Sequence, residues 1–553
     1  MPRSAFFRLS PRLLVAAALL TAAGLAAQPG STIRFALPAA TNITYLFPIT
    51  PSQFYASVNI HYVQSLLYRP LVFVNSKVQV NYTRSLAQSV KTADGKHYFI
   101  TLNPKWRWSD GQPVTAKDVL FDIRLLRSIP AGKSNLFGGW GGGGVPNDIV
   151  SARQLSRYRL EITLNGRYNP QWFILNGLSL ITPLPKQAWD RYPGHPAKTL
   201  AYLQARGDSQ SFFRSSPVDG PFKVSSLELN KRFIFAANPA YSGHRADYQR
   251  LVLTYFTSTD AEYNALRDGQ IQVGYLPAHL YAQRQISGFR FWSTPLWAMY
   301  YMDANFKNRQ APELASLPVR QALQMAINQP GMVKAFLHGQ GVAQYGPVPY
   351  VPPTYLSPYL KSTVPYPYNP RAGKRLLEAS GWSLQGGVMV KGGQRLVLNL
   401  AYAVGSQYIQ LEAEAIAAAA AKEGISVHLQ PMPFGTLIAQ LGKLQSWQLE
   451  LFGGWLYGTD PYPSNYQVFN SQGGSNRGGY DDPKMNQLTV QTHLYASPSA
   501  SLQALYRYQD YAAKTLPRLW MPVPDALNEV STGLHGVRGH LYIGRFSPQY
   551  WSF

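Results

Sequence analysis

Residues 396–429 read LVLNLAYAVGSQYIQLEAEAIAAAAAKEGISVHL, and the class of the fold is legible in them. Leu396 to Tyr402 alternates in the manner of a strand. Ser406 to Glu423 is rich in Ala and Glu, both strong helix formers, and Gly424 is suited to end that helix at C′. Ile425 to Leu429 returns to strand character. Strand, helix and strand with short joins make a βαβ unit, so the two strands should be parallel with a right-handed crossover. The expected class is α/β.

Toward the N-terminus the pattern is richer in strands. Residues 28–50 are extended in character, and Val58 to Val74 reads as a helix-like stretch running into a strand-like PLVFV. LAQSVK and HYFITLN flank Thr92-Ala93-Asp94-Gly95, and an Asp-Gly pair between two such runs signals a hairpin. Thr115 and Asp118 have the spacing of a capping box. Val119, Leu120, Ile123 and Leu126 then give one apolar helical face over 116–128. GGWGGGG at 138–144 lacks the Lys-Ser/Thr ending of a phosphate loop and reads as a plain loop.

The 553 residues exceed what one core can hold, because cores stop growing near about 250–300 residues. Arg3, Arg8 and Arg12 precede the apolar run Leu13 to Ala23, and small residues at Gly24 and Ala26 complete a leader over 1–26, with cleavage expected after Ala26. That run is shorter than the roughly 20 apolar residues a membrane span needs. With no cysteine, the chain has no disulfide, no thiolate metal site and no residue for a lipid anchor. Export, cleavage without lipidation and residence in a periplasm are the expectation.

The formal charge is +24, from 51 Lys and Arg against 27 Asp and Glu. The basic residues are scattered singly, without the clustering that nucleic acid requires, so no nucleic acid partner is expected. Scarce carboxylates suit an acidic compartment, since few groups then lose native interactions on protonation.

No catalytic constellation stands out. The sequence holds no Gly-x-Ser-x-Gly elbow and no His-Glu-x-x-His. His535 and His540 are close, but further metal ligands are not apparent, and Asp481-Asp482 before Pro483 reads as a helix start. No catalytic residue, metal or cofactor is assigned. The 36 Tyr and 12 Trp suit a roomy pocket, because such side chains combine large area with a polar handle.

Seven motifs, in order, resemble the bacterial family 5 extracellular solute-binding proteins, the oligopeptide, dipeptide and nickel binders of ABC importers. They are Leu86 to Ile123; Asp219-Gly220-Pro221-Phe222; FIFAANPAY at 233–241; VRQALQMAIN at 319–328; Tyr368-Asn369-Pro370 with RAGKRLLEASGW at 371–382; Gly454-Trp455 with Asp460-Pro461; and GYDDPKM at 479–485. The resemblance implies a two-lobed periplasmic binding protein fold (class II-like, the "Venus flytrap") with a small domain inserted in the first lobe. Lobe I would comprise 28–55, 180–285 and 525–553, the insertion 56–179, and lobe II 286–524, with Tyr300-Tyr301-Met302-Asp303 on the strand entering lobe II.

By position in the family, Phe54 and Tyr55 would line one wall of the cleft, and Gly453, Gly454, Trp455, Leu456, Tyr457 and Asp460 the other. Peptide binders of the family place an Asp three residues after the Trp to pair the peptide's ammonium. Here that residue is Gly458, so either Asp460 takes the role or the ligand lacks a free amine. The resemblance implies a monomer that closes over a peptide-like solute and delivers it to ABC permease subunits. Alternatives are a sugar, opine, haem or metal-chelate ligand, a peptide-holding chaperone or sensor, and a hydrolase.

Overall fold

The structure, a computed structural model, describes residues 32–37, 45–51, 63–129, 143–229, 231–458, 460–538 and 547–553. Its strands form two main sheets. The first has seven strands, in the order Phe289–Thr294, Ala526–Ser531, Val273–Tyr275, Thr32–Ala36, Arg250–Thr254, Arg232–Ala237 and Phe222–Glu228. Thr32–Ala36 pairs in parallel on both sides, which puts this early strand at the sheet's centre.

Between Thr32–Ala36 and the next strand of that sheet, the chain builds a separate antiparallel sheet. Its order is Ala87–Lys91, His97–Leu102, Arg159–Leu164, Ile149–Ser156. The Asp-Gly turn joins the first two: Asp94 Oδ1 accepts from the backbone N–H of Lys96 and His97, each at 2.9 Å. The capping box forms as the spacing predicts, with the Asp118 carboxylate accepting from Thr115 N at 2.8 Å and the Thr115 side chain accepting from the first turn of helix Ala116–Arg127. Val119, Leu120, Ile123 and Leu126 are all buried. A cap of this kind contributes about 1 kcal/mol.

PLVFV at 70–74 is not a strand. Pro70 has no N–H to give, Leu71 N donates to Ile181 O, and Ala87 N donates to Leu71 O, so its backbone bonds go to different partners instead of one neighbour. The segment is a buried loop with a single bridge, Val74 to Val80. Ahead of it, α-helix among the described residues is limited to Ser65–Leu67. Residues 138–142 of the glycine-rich run, and 52–62, which include the expected helix start at Val58, lie outside the described residues.

The chain passes between the main sheets twice. β1 (Phe289–Thr294) pairs antiparallel with Ala526–Ser531 in the first sheet, and only Pro295, Leu296 and Trp297 separate it from β2 (Ala298–Ala304) in the second. β1 therefore belongs with the first sheet although it lies beyond residue 285, because pairing, which the local pattern does not reveal, decides membership. The unit at 396–429 folds as β3 (Val397–Ala403), α1 (Gln407–Ala421) and β4 (Ser426–Met432), with the two strands parallel from Val397↔Ser426 to Ala403↔Met432. The helix closes at Lys422, so C′ is Glu423, and Gly424, at φ +80°, stands one residue beyond the C′ position expected for it.

β5 (Leu449–Leu456) runs parallel to β3 and antiparallel to β2, and β6 (Leu519–Met521) completes a sheet in the order β4-β3-β5-β2-β6. The return runs through Pro522 to Asp525 into β7 (Ala526–Ser531), beside β1. Asp303 of the Tyr-Tyr-Met-Asp motif forms a buried ion pair with Arg518, whose guanidinium lies 4.7 Å from the Tyr301 ring. Two α/β lobes joined by two crossings, with a small domain inserted in the first, make the two-lobed binding-protein fold.

Eleven of the 27 carboxylates are buried, against three arginines and no lysine among the described residues. Positive charge is thereby concentrated at the surface beyond what composition alone requires.

Candidate functional site

The end of β5 and the loop after it carry six of the eight residues picked out by the sequence. Leu456 faces Ala298, Trp455 faces Met299 and Gly454 faces Tyr300, but the next matched pair is Leu451 with Met302. Phe452 and Gly453 thus share one partner, a β-bulge that bends the strand and re-aims the side chains beyond it. Both glycines have steric reasons to be there. Gly453 has φ +117°, and a Cβ on Gly454 would lie 2.0 Å from Met299 O.

After the bulge the strand surfaces. Gly454, Trp455 and Leu456 are half-buried, whereas Tyr457 is fully enclosed. Its N–H donates to Trp297 O at 2.9 Å, and its hydroxyl donates to Pro347 O. Tyr457 therefore anchors the wall from behind. The indole N–H of Trp455 reaches both carboxylate oxygens of Asp460 at 3.0 Å. Phe54 and Tyr55 lie outside the described residues.

One edge of this segment is open. β2 covers one side of β5 as far as Leu456, but β3 pairs with β5 only over Leu449, Glu450 and Leu451. Among the described residues, Phe452 to Leu456 have no strand on the β3 side. An unpaired run of N–H and C=O groups is a template for another extended chain.

The inserted domain closes over the loop that follows. Asn176 holds the backbone of Tyr462, Asn169 Nδ2 donates to the Tyr462 hydroxyl at 3.3 Å, and Asn169 N donates to His493 O at 2.8 Å. Gln171 Nε2 donates to the Tyr355 hydroxyl at 2.7 Å. The His493 ring stacks on Trp172 at 4.7 Å, and burial pushes its pKa down to about 4. These contacts join the insertion to the second lobe directly. Sequence reading missed them, although the lone Asn inside the apolar run FILNGL at 173–178 was a usable signal.

Among the described residues, no group of three His, Asp or Glu is placed to hold a metal ion. His535 bridges to Ser552, and His540 lies outside the described residues. An open hollow of about 560 Å³, lined by Pro330, Val333, Lys334, His338, Gly339 and Ala343, includes no residue of β5. The free strand edge and the crossings place the candidate site at β5.

Residues 81–477 match the family described as bacterial extracellular solute-binding proteins, family 5, middle. The chain belongs to this family. Family 5 members are solute-binding proteins rather than enzymes. The oligopeptide-binding protein AppA of Bacillus subtilis is 24% identical over 417 residues, 74% of this chain and 71% of its own. The nickel-binding periplasmic protein of Escherichia coli is 27% identical over 364 residues, 64% and 62% of the two chains. A Brucella ovis relative, named as a putative ABC transporter peptide-binding protein, is 26% identical over 322 residues, 57% of this chain. The match spans 55% of that relative's length.

Among solved structures, Bacillus subtilis AppA in complex with a nonapeptide superposes with a TM-score of 0.79 at 19% identity, covering 95% of this chain and 99% of AppA. NikZ of Campylobacter jejuni in complex with Ni(L-His) gives 0.78 at 21%, covering 95% and 100%. These likenesses show the two-lobed fold over 95% of the chain.

Proposed function

We propose that this chain is the solute-binding component of an ABC importer, capturing a peptide-like solute between its lobes and handing it to permease subunits at the membrane. The open edge of β5 from Phe452 to Leu456 carries this reading. An extended ligand laid there gains main-chain hydrogen bonds that do not depend on its side chains, which suits a binder of varied peptides. Contacts made to both lobes exist only when the lobes are shut, so a solute shifts the population toward the closed form. Lobe I would be 28–55, 180–294 and 525–553, with 56–179 inserted. The chain would act as a monomer, exported, cleaved after Ala26 and not lipidated.

A non-peptide solute is the second reading. Gly458 stands where the family's amine-binding Asp would be, and the Asp460 carboxylate is engaged by Trp455. Native mass spectrometry of protein purified from its host, joined to solution scattering, tests both. A co-purified peptide with compaction on rebinding supports the first reading, and a co-purified chelate or sugar the second. Cleavage of added peptides, or no compaction with any solute, would overturn the transport role.

A further inference from the structure

α1 carries two glutamates that differ in fate. Glu414 is exposed and accepts from Gln410 at 2.9 Å. Glu412 is 1% exposed, and its Oε1 has no hydrogen-bond partner. The carboxyl is bonded to the hydroxyl of Tyr408, one turn earlier, and burial pushes its pKa up to about 8. Tyr300 of β2 also senses its charge, and the Tyr300 ring lies 3.5 Å from where a Gly453 Cβ would stand. Tyr300 and Tyr408 are both half-buried.

The place matters as much as the burial. α1 packs against β3, β4 and β5, against helix Gln329–Phe336, and against the 3-10 turn Ala278–Gln283 that precedes β1. α1 therefore lies at the seam of the lobes, and Glu412 reaches the β5 bulge through Tyr300, whose ring lies against Gly453. The titratable groups on those elements include Glu450, His428, Lys334 and His279, and none of them forms an ion pair with Glu412. A buried carboxyl with an unmet oxygen and no cation is costly unless something else supplies one.

We propose that Glu412, flanked by Tyr300 and Tyr408, is a recognition point for a cationic group of the solute, an ammonium or guanidinium lodged beside Gly453. This rests on placing the cleft at β5. On binding, the carboxyl releases its proton to solvent, the cation supplies the missing partner for the carboxylate so formed, and a tyrosine face adds cation–π attraction. The basic surface does not forbid it. Repulsion is screened beyond about 8–10 Å at physiological salt, so it slows encounter more than it weakens the contact.

The test is calorimetric titration of the purified protein with trilysine and with N-acetyl-trialanine amide, for the wild type, Glu412→Gln and Tyr408→Phe. Trilysine is expected to bind at least about tenfold more tightly than the neutral probe. Glu412→Gln should erase that preference while leaving the neutral probe within about twofold and the melting temperature equal or higher; Tyr408→Phe should reduce the preference in part. Equal affinities in the wild type, or equal weakening of both probes by Glu412→Gln, would overturn the assignment. Binding of neither probe also overturns it, whereas the transport role falls only if no solute co-purifies or compacts the chain.

Discussion

Asn176 holds Tyr462 by its backbone: Oδ1 accepts the Tyr462 N–H at 2.9 Å and Nδ2 donates to the Tyr462 carbonyl at 2.8 Å. The partners are 286 residues apart, one in the insertion and one in the loop that carries Asp460. The loop beside the candidate ligand strand is therefore also the surface that the insertion grips. A solute held at β5, as proposed above, would bear on the same loop.

Asn176→Leu keeps most of the volume but orphans both backbone groups of Tyr462, which lose about 1–3 kcal/mol each when buried without partners. Opening the lobes would rehydrate them, so the cost falls on the closed state. Affinity for every solute is expected to fall by at least about tenfold, because apparent affinity scales with the closed fraction. Binding titration and solution scattering check this. A lower melting temperature with unchanged affinity would mean that the contact takes no part in closure.

Gly454→Ala tests the wall itself. The new Cβ would meet Met299 O at 2.0 Å, which is backbone and cannot rotate away. β2 and β5 must part, at an expected cost of about 1–3 kcal/mol as overpacking. The midpoint in denaturant reports it, and ligand-induced compaction should be lost as well. A tolerant variant would mean that the bulge is more pliant than its geometry implies.

Stability should fall as pH rises from acid to alkaline. Burial pushes Asp219 up to about 7, Glu450 and Glu529 up to about 8, and Glu423 up to about 9. Each binds its proton more tightly folded than unfolded, where carboxyl values are near 4. Their stabilisation is complete below about pH 4 and is lost as pH climbs through 7 to 9. His493 opposes this at the acid end: its folded value of about 4 lies below the unfolded one, so its contribution is lost as pH falls from about 6.5 to 4. The melting temperature should be higher at pH 5 than at pH 8. A steady rise between those points would sink the idea of a chain built for acid surroundings.

Local structure was the part most legible in the sequence. The βαβ unit, the Asp-Gly hairpin and the Thr115 cap each depend on residues close together in the chain. PLVFV was misread because its alternation matches a strand, while its backbone partners are set by distant residues such as Ile181. The Gly453-Gly454 pair could be found from its motif, but the reasons for both glycines, a bulge and a neighbouring carbonyl, are features of pairing. Glu412 lay hidden in an alanine-rich helix because the pattern alone does not distinguish it from exposed Glu414 two residues on.

The last prediction separates two carboxyls competing for one cation. Asp460 already accepts the indole N–H of Trp455 on both oxygens, so an incoming ammonium would have to share it or displace the ring. Asp460→Asn removes the charge but retains one oxygen for the indole. Affinities for a free-amine peptide and its N-acetylated counterpart should therefore shift together, within about twofold of each other. A loss confined to the free amine and reaching tenfold, about 1.4 kcal/mol, would assign the ammonium to Asp460. Paired calorimetric titrations of the two peptides decide it, and the same pair run on Glu412→Gln should give the opposite pattern.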